Sequence, residues 1–288
     1  MSKIKTIGLI SPASAHEEGD DVHYRSGIAY LKSLGFSLVE APNIFDRCES
    51  LNTAGDLQTR ADAFHKVWSN PDVDLVLSMR GGYGCIPLLD KLDFDLIKKN
   101  PKPLLGYSDL TALHLAFYKF CGFQSFHSPM TFEFHKWKDS SKESFLELLE
   151  KIPPKLESRI EAKDLTWVSG SNGKYNLSES AVQSGTKIMG GNMTIICCLI
   201  GTKYLPSFKD SILFLEEYNE PKYKVDRMVN HLIMSGTLDA VKEIWVGIPE
   251  KAEFAYESLE AYCLEKGIKL LKNIPVGHSP DNYCLPLG

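Results

Sequence analysis

Three short stretches carry residues able to make and break bonds. In LLGYSDLTAL, Ser108 stands between the apolar run Pro103–Leu105 and a helical pattern, with Gly106 two residues before it. A serine placed there is either the N-cap of the coming helix, its oxygen accepting a backbone N–H, or a nucleophile. As a nucleophile it is lifted to a sheet edge beside a helix N-terminus, where partial positive charge favours an oxyanion. ILFLEE is a strongly apolar strand ending in Glu216 and Glu217. Buried carboxylates are costly unless partnered, and strand alternation sends these two to opposite faces, so only one can enter a given site. His278 follows a strand and Gly277 in PVGHSPDN, on a loop rich in turn residues. A hydroxyl needs a base to be nucleophilic at neutral pH, and the base needs an acid to orient it. Serine, acid and histidine occur in that chain order, each at a strand-to-loop junction.

The segment RGGYG, Arg80–Gly84, also ends an apolar strand. Glycines there let the backbone approach a ligand and expose N–H groups. The pattern is not GxGxxG, and no acidic residue stands where a dinucleotide site needs one. It reads either as a bare glycine turn or as a donor loop beside Ser108. Arg80 is available to grip a substrate carboxylate bidentately, with Tyr83 as a second candidate binding residue. His114 and His231 fall inside helical patterns and read as structural. No HExxH and no close histidine pair occurs, so no catalytic metal is expected. Leu110 stands where GxSxG has its last glycine, which argues against a general α/β-hydrolase esterase.

These residues need a frame. The chain has 288 residues with 43% hydrophobic content, ample for a buried core. Its net charge of −5 disfavours nucleic-acid or anionic-membrane partners. No apolar stretch approaches the ~20 residues of a bilayer span, and Ile7–Ile10 is too short for a signal peptide, whose apolar core runs ~7–15 residues. The seven cysteines are odd in number and form no CxxC, which suits reduced thiols in a cytoplasmic protein.

Strand patterns at Ile4–Ile10, Phe36–Glu40, Asp74–Met79 and Pro103–Tyr107 alternate with helical patterns at Asp20–Leu34, Asp56–Ser69 and Leu110–Cys121. Such alternation predicts a parallel sheet, with ligands beyond the carboxyl ends of its strands, where RGGYG and GYSD both lie. The rhythm changes near Phe134. The expected organisation is a first domain over 1–134, a linker over 135–174 and a second domain over 175–288. The linker carries an exposed helix at Ser140–Ile152 and the turn-rich SGSNGK at Ser169–Lys174. In the second domain GGNM opens an apolar helix, followed by strands at Ser211–Glu217, Val241–Gly247 and Lys269–Val276 and helices at Tyr223–Ser235 and Phe254–Gly267.

In their order along nearly the whole chain, GLISPAS, RGGYG, GYSD, FHSPM, GGNM, GTKYLP, ILFLEE with EPKYKVDRM, and VGHSPDN resemble the LD-carboxypeptidase family of serine peptidases. That family includes muropeptide LD-carboxypeptidases and microcin C self-immunity peptidases. The resemblance implies an α/β fold: an N-terminal Rossmann-like parallel-sheet domain carrying the nucleophile, and a C-terminal swivelling β-barrel-type domain carrying the acid and base. It assigns the nucleophile to Ser108, the acid to Glu216 rather than Glu217, and the base to His278. It assigns the oxyanion donors to the backbone N–H groups of Asp109 and Gly82. It implies no metal or cofactor, a homodimer, and release of D-Ala from cytoplasmic murein tetrapeptides during wall recycling.

Two departures stand out. Ser128 in HSPM replaces a common glycine and is expected to alter the pocket wall. Gly288 comes soon after the histidine loop, where family members commonly continue with a further strand, so either the C-terminal domain is abbreviated or the sequence stops short of the natural end. The alternatives are a microcin-type peptidase acting on an acyl-sulfamoyl adenylate or peptide–nucleotide conjugate, with Trp137 as a candidate adenine clamp, and a non-catalytic muropeptide sensor.

Overall fold

The computed structural model describes residues 4–17, 21–156, 158–169, 177, 180–251 and 256–288. Strand and helix alternate first through β1 (Thr6–Ile10), α1 (Asp21–Ser33), β2 (Ser37–Glu40), α2 (Leu57–Ser69), β3 (Leu75–Ser78), the short α3 (Cys85–Leu88), α4 (Phe94–Lys99), β4 (Leu104–Gly106), α5 (Thr111–Cys121) and β5 (Ser125–His127). They are followed by α6 (Asp139–Lys151), α7 (Thr166–Ser169), β6 (Ile188–Asn192), α8 (Met193–Leu199), β7 (Ile212–Glu216), α9 (Lys222–Met234), β8 (Glu243–Gly247), α10 (Tyr256–Lys266), β9 (Lys269–Ile274) and β10 (Leu285–Leu287). The expected starts at Asp20 and Phe254, and SGSNGK beyond Ser169, lie outside the described residues.

Local chemistry explains the helices. Asp56 caps α2 by accepting the Thr59 N–H at 2.8 Å, and Phe64, Val67 and Trp68 turn one face of that helix inward. Helix α5 ends at Gly122, whose φ of 72° is left-handed, a conformation glycine adopts without steric cost.

The first sheet has the order β10-β5-β4-β3-β1-β2. Strands β1 to β5 run parallel, and β3 is buried on both faces, as a sheet covered by helices on both sides requires. The order reverses at β1, between β2 and β3, so the crevice beyond the carboxyl ends of β1, β3 and β4 is where a ligand fits. The second sheet is β6-β7-β8-β9, all parallel. Two glycines of GGNM allow close packing, Gly190 against the neighbouring strand β7 and Gly191 against α5 of the first layer. A Cβ on Gly190 would lie 1.9 Å from the Phe214 carbonyl oxygen, and one on Gly191 would lie 2.4 Å from Thr111 Oγ1. Asn192 then donates its N–H to Thr111 Oγ1 at 2.9 Å, and its side chain caps α8 by accepting the Ile195 N–H at 3.2 Å. The first residue of α5 is thereby tied to the last strand residue before α8.

One expectation is corrected. The helix α6 is not merely exposed: Phe145, Leu148 and Leu149 are buried, and so are Ser141 and Ser144. Its charged outer face masked an apolar stripe at helical spacing. After the histidine loop, strand β10 pairs antiparallel with β5 of the first sheet, Leu285 opposite His127, while Leu285 and Leu287 pack with Ile188, Ile212 and Phe214 of the second.

Candidate functional site

Strand β4 delivers the serine. Gly106 has φ of 154°, and a Cβ on it would lie 2.4 Å from Leu110 Cδ2, so only glycine lets the chain fold back this tightly before the helix. Ser108 itself has φ of 65°. A left-handed non-glycine residue costs of order 1–3 kcal/mol and marks a turn whose geometry is imposed by its surroundings. Its hydroxyl makes no cap hydrogen bond at the 3₁₀ turn Ser108–Leu110 or at α5. It lies 3.2 Å from His278 Nε2 instead.

The neighbouring Asp109 is buried and turned away, its carboxylate accepting the Cys85 N–H at 2.7 Å. Burial raises its pKa against that bond and the Arg60 charge. Asp109 therefore ties the serine turn to the glycine loop. That loop passes directly over the nucleophile: a Cβ on Gly81 would lie 3.0 Å from Ser108 Cβ. Gly82, with φ of 108°, packs against Ser14, whose Oγ accepts the Tyr83 N–H at 3.0 Å. Beneath the loop the buried Arg60 donates to the carbonyls of Pro12 and Gly84 at 2.8 and 2.7 Å. Nothing in the sequence around Arg60 signals this strut.

Strand β7 and the loop after β9 deliver the other two groups. His278 Nδ1 and Glu216 Oε2 are 2.5 Å apart. Gly277 and Gly247 make room for the carboxylate, since a Cβ on either would lie 3.2 Å from Glu216 Cβ. Glu217 points the other way, as alternation predicts, and accepts from Asn192, Thr194 and Tyr218. Burial disfavours the Glu216 anion, but the His278 charge and hydrogen bond outweigh it and hold the acid below its ordinary 4.5. Burial likewise disfavours the imidazolium, but the Glu216 charge and hydrogen bond hold His278 above its ordinary 6.5.

Around this pair the protein has little slack. Tyr218 stacks on the His278 ring at 4.8 Å, and Tyr107 meets it edge-on at 4.8 Å. Within the loop Asn282 accepts the Gly277 N–H at 3.1 Å, and its own N–H reaches Ser141 Oγ at 2.9 Å. Cys284 donates to Ser144 Oγ at 3.0 Å. The buried serines of α6 and the pairing of β10 thus clamp both sides of the histidine loop.

Ser108 and His278 open into a cavity of about 410 Å³. Arg80, Gly82, Glu133, Lys136, Trp137 and Tyr218 are among its walls. A cleft of about 450 Å³ by residues 159–162 and β6 holds no serine–histidine pair. Arg80 reaches the cavity while its guanidinium donates to the Ala15 carbonyl at 2.9 Å and lies 3.4 Å from Glu17. Tyr83 is half exposed and is not among the lining residues. Trp137 lines the cavity, but its ring is mostly covered by Phe134 and Phe145. Ser128 is fully buried, donates to the Pro129 carbonyl at 2.8 Å and is not part of the cavity wall. His114 is structural, bonded to Ser125 and the Gly106 carbonyl, and burial lowers its pKa to about 4. Among the described residues no group of three or more His, Cys, Asp or Glu is placed to hold a metal ion, and no helix is long and apolar enough to cross a membrane.

A hydroxyl, an imidazole and a buried carboxylate stand in series between the two sheets, an arrangement able to activate a serine hydroxyl. The chain belongs to the LD-carboxypeptidase family: residues 7–128 match that family's N-terminal domain and residues 185–288 its C-terminal domain. It is 27% identical to a probable murein peptide carboxypeptidase of Bacillus subtilis, over 100% of this chain and 88% of that one. It is 29% identical to the murein tetrapeptide carboxypeptidase of Pseudomonas aeruginosa, over 82% of this chain and 77% of that one. Among solved structures it superposes on MccF in complex with glutamyl sulfamoyl guanosine with a TM-score of 0.84, covering 100% of this chain and 92% of that one at 24% identity, a likeness of fold. Family and relatives together support a serine-type carboxypeptidase.

Proposed function

We propose that the protein is a serine LD-carboxypeptidase that hydrolyses the amide between an L-centre and a C-terminal D-amino acid, releasing D-Ala from murein tetrapeptides in cytoplasmic wall recycling. The observation that carries this reading is the hydrogen-bonded series Ser108–His278–Glu216 opening into the cavity. His278 Nε2 takes the hydroxyl proton as Ser108 Oγ attacks the scissile carbonyl carbon. The oxyanion forms against the backbone N–H groups of Asp109, at the first turn of a helical segment, and of Gly82. As it collapses, the C–N bond breaks and His278 passes its proton to the leaving amine. Water then attacks the serine ester, gives a proton to His278, and the acyl group leaves as a carboxylic acid while Ser108 is reprotonated. Glu216 keeps Nδ1 protonated and stabilises the transient imidazolium.

A carboxypeptidase must also hold the terminal carboxylate. Arg80, steadied by Ala15 and Glu17, is the proposed anchor, with Lys136 and Lys251 adding positive field at the cavity wall. Arg80→Gln is expected to raise KM about tenfold with a smaller change in kcat. An unchanged KM in steady-state assays removes Arg80 from this role.

The test of the reading is release of D-Ala from a murein tetrapeptide, followed by mass spectrometry with chelator present, for the wild type and for Ser108→Ala. Release by the wild type alone supports the proposal. Release from an acyl-sulfamoyl adenylate but not from the tetrapeptide turns the assignment to the microcin-type reading, and binding without turnover of either turns it to a sensor. Light scattering at two protein concentrations checks the expected homodimer.

A further inference from the structure

Glu133 lines the cavity, yet no step above uses it. Its place is fixed by backbone. The 3₁₀ turn Thr131–Glu133 is fastened to the end of β3, with the Phe132 N–H on the Met79 carbonyl at 3.0 Å and Thr131 Oγ1 on the Ser78 carbonyl at 3.2 Å. One carboxylate oxygen, Oε2, accepts from the Tyr107 hydroxyl at 2.7 Å. Oε1 has no hydrogen-bond partner among the described residues, and no described cation forms an ion pair with Glu133. The side chain is partly buried beside the nucleophile's neighbour. Lys136 shares the cavity wall and the His278 charge feels this carboxylate, but neither forms an ion pair with it, and a carboxylate held partly out of water gains from a cation placed against it. An ammonium brought by a ligand is such a cation.

Which ammonium it is follows from the reaction. The leaving residue presents a carboxylate, which Glu133 repels, so the group facing Glu133 belongs to the acyl portion of the substrate. The α-nitrogen of the residue before the scissile bond is spent in its own peptide bond. A free amine there must come from the side chain. We infer that Glu133 is a specificity-determining residue that binds the side-chain ammonium of a diamino acid standing immediately before the scissile bond. This rests on the carboxypeptidase reading above. The competing role, in which Glu133 only braces Tyr107, predicts no preference for charge on the substrate.

The experiment compares two tetrapeptides that end in D-Ala and differ only in whether the side-chain amine of the preceding residue is free or acetylated. The wild type is expected to favour the free amine about 10- to 100-fold in kcat/KM, the usual reach of one charge-assisted contact. In Glu133→Gln the ratio falls to within about threefold, whatever the absolute rates. In Tyr107→Phe, which removes the brace but keeps the charge, the ratio persists. Equal use of both peptides by the wild type, or a full preference in Glu133→Gln, overturns the inference. If neither peptide is turned over, the carboxypeptidase reading fails separately. Calorimetric binding to the Ser108→Ala protein then decides: tighter binding of the free amine supports the role of Glu133, and equal or no binding overturns it.

Discussion

Ser108→Ala is expected to lower kcat/KM for D-Ala release by roughly 10⁴- to 10⁶-fold, His278→Ala by a similar factor, and the double variant by little more than either. The non-additivity is the informative part. The hydroxyl and the imidazole are 3.2 Å apart and act on one proton, so removing either leaves the other without a task. What should survive in all three variants is binding by the cavity and polarisation by the proposed backbone donors of Asp109 and Gly82. A multiplicative double variant would mean that serine and histidine contribute separately, and the covalent mechanism would fail. Folding is not expected to confuse the result. Alanine inherits the φ of 65° on the same terms as serine, and neither helix end depends on the hydroxyl as a cap. Thermal melting of Ser108→Ala should stay close to that of the wild type. Ser108→Gly should melt no lower, because glycine accepts the left-handed turn without strain.

That turn also shows what could be read from the sequence and what could not. Gly106 before Ser108 was a visible signal of a tight strand–helix junction, and the structure supplies its reason in the Leu110 contact. Alternating strand and helix patterns placed RGGYG and GYSD at carboxyl ends of neighbouring strands, because period-two and period-3.6 patterns are local. Local rules also separated Glu216 from Glu217, one facing His278 and the other Asn192 and Thr194.

What stayed hidden depends on contacts distant in sequence. Strand β10 spans only Leu285–Leu287, too short to show a period, and its partner β5 lies about half the chain away. Ser141 and Ser144 look like ordinary helix-surface residues until Asn282 and Cys284 bond to them. Arg60 resembles a solvated helix charge, yet it is buried and supports the glycine loop. Glu133 and Tyr107 are unremarkable in sequence and become a pair only when β4 and the Thr131–Glu133 turn meet.

Glu216→Gln is expected to cost roughly 10³- to 10⁴-fold in kcat/KM and to move the acid limb of its pH profile downward. His278 must be neutral to take the Ser108 proton. In the wild type burial opposes the imidazolium, but the Glu216 carboxylate overcomes it and keeps the histidine above 6.5. Activity should therefore rise with pH through a midpoint above 6.5. Glutamine removes the negative charge and leaves burial unopposed by its strongest counterweight, so the histidine loses its proton more easily and the midpoint falls. More of the free variant is then in the base form at pH 6, yet its plateau is lower. The imidazolium that forms in the transition state has lost its counter-charge, and the amide can offer Nδ1 a donor where the reaction needs an acceptor. A profile measured on kcat/KM reports the free enzyme and separates these two effects. The near-isosteric change matters because Gly247 and Gly277 pack directly on this side chain, and truncation to alanine would add a cavity to the electrostatic loss. An acid limb that keeps its midpoint when the carboxylate is gone would mean that another group governs ionisation, and Glu216 would then be a packing residue at the end of β7.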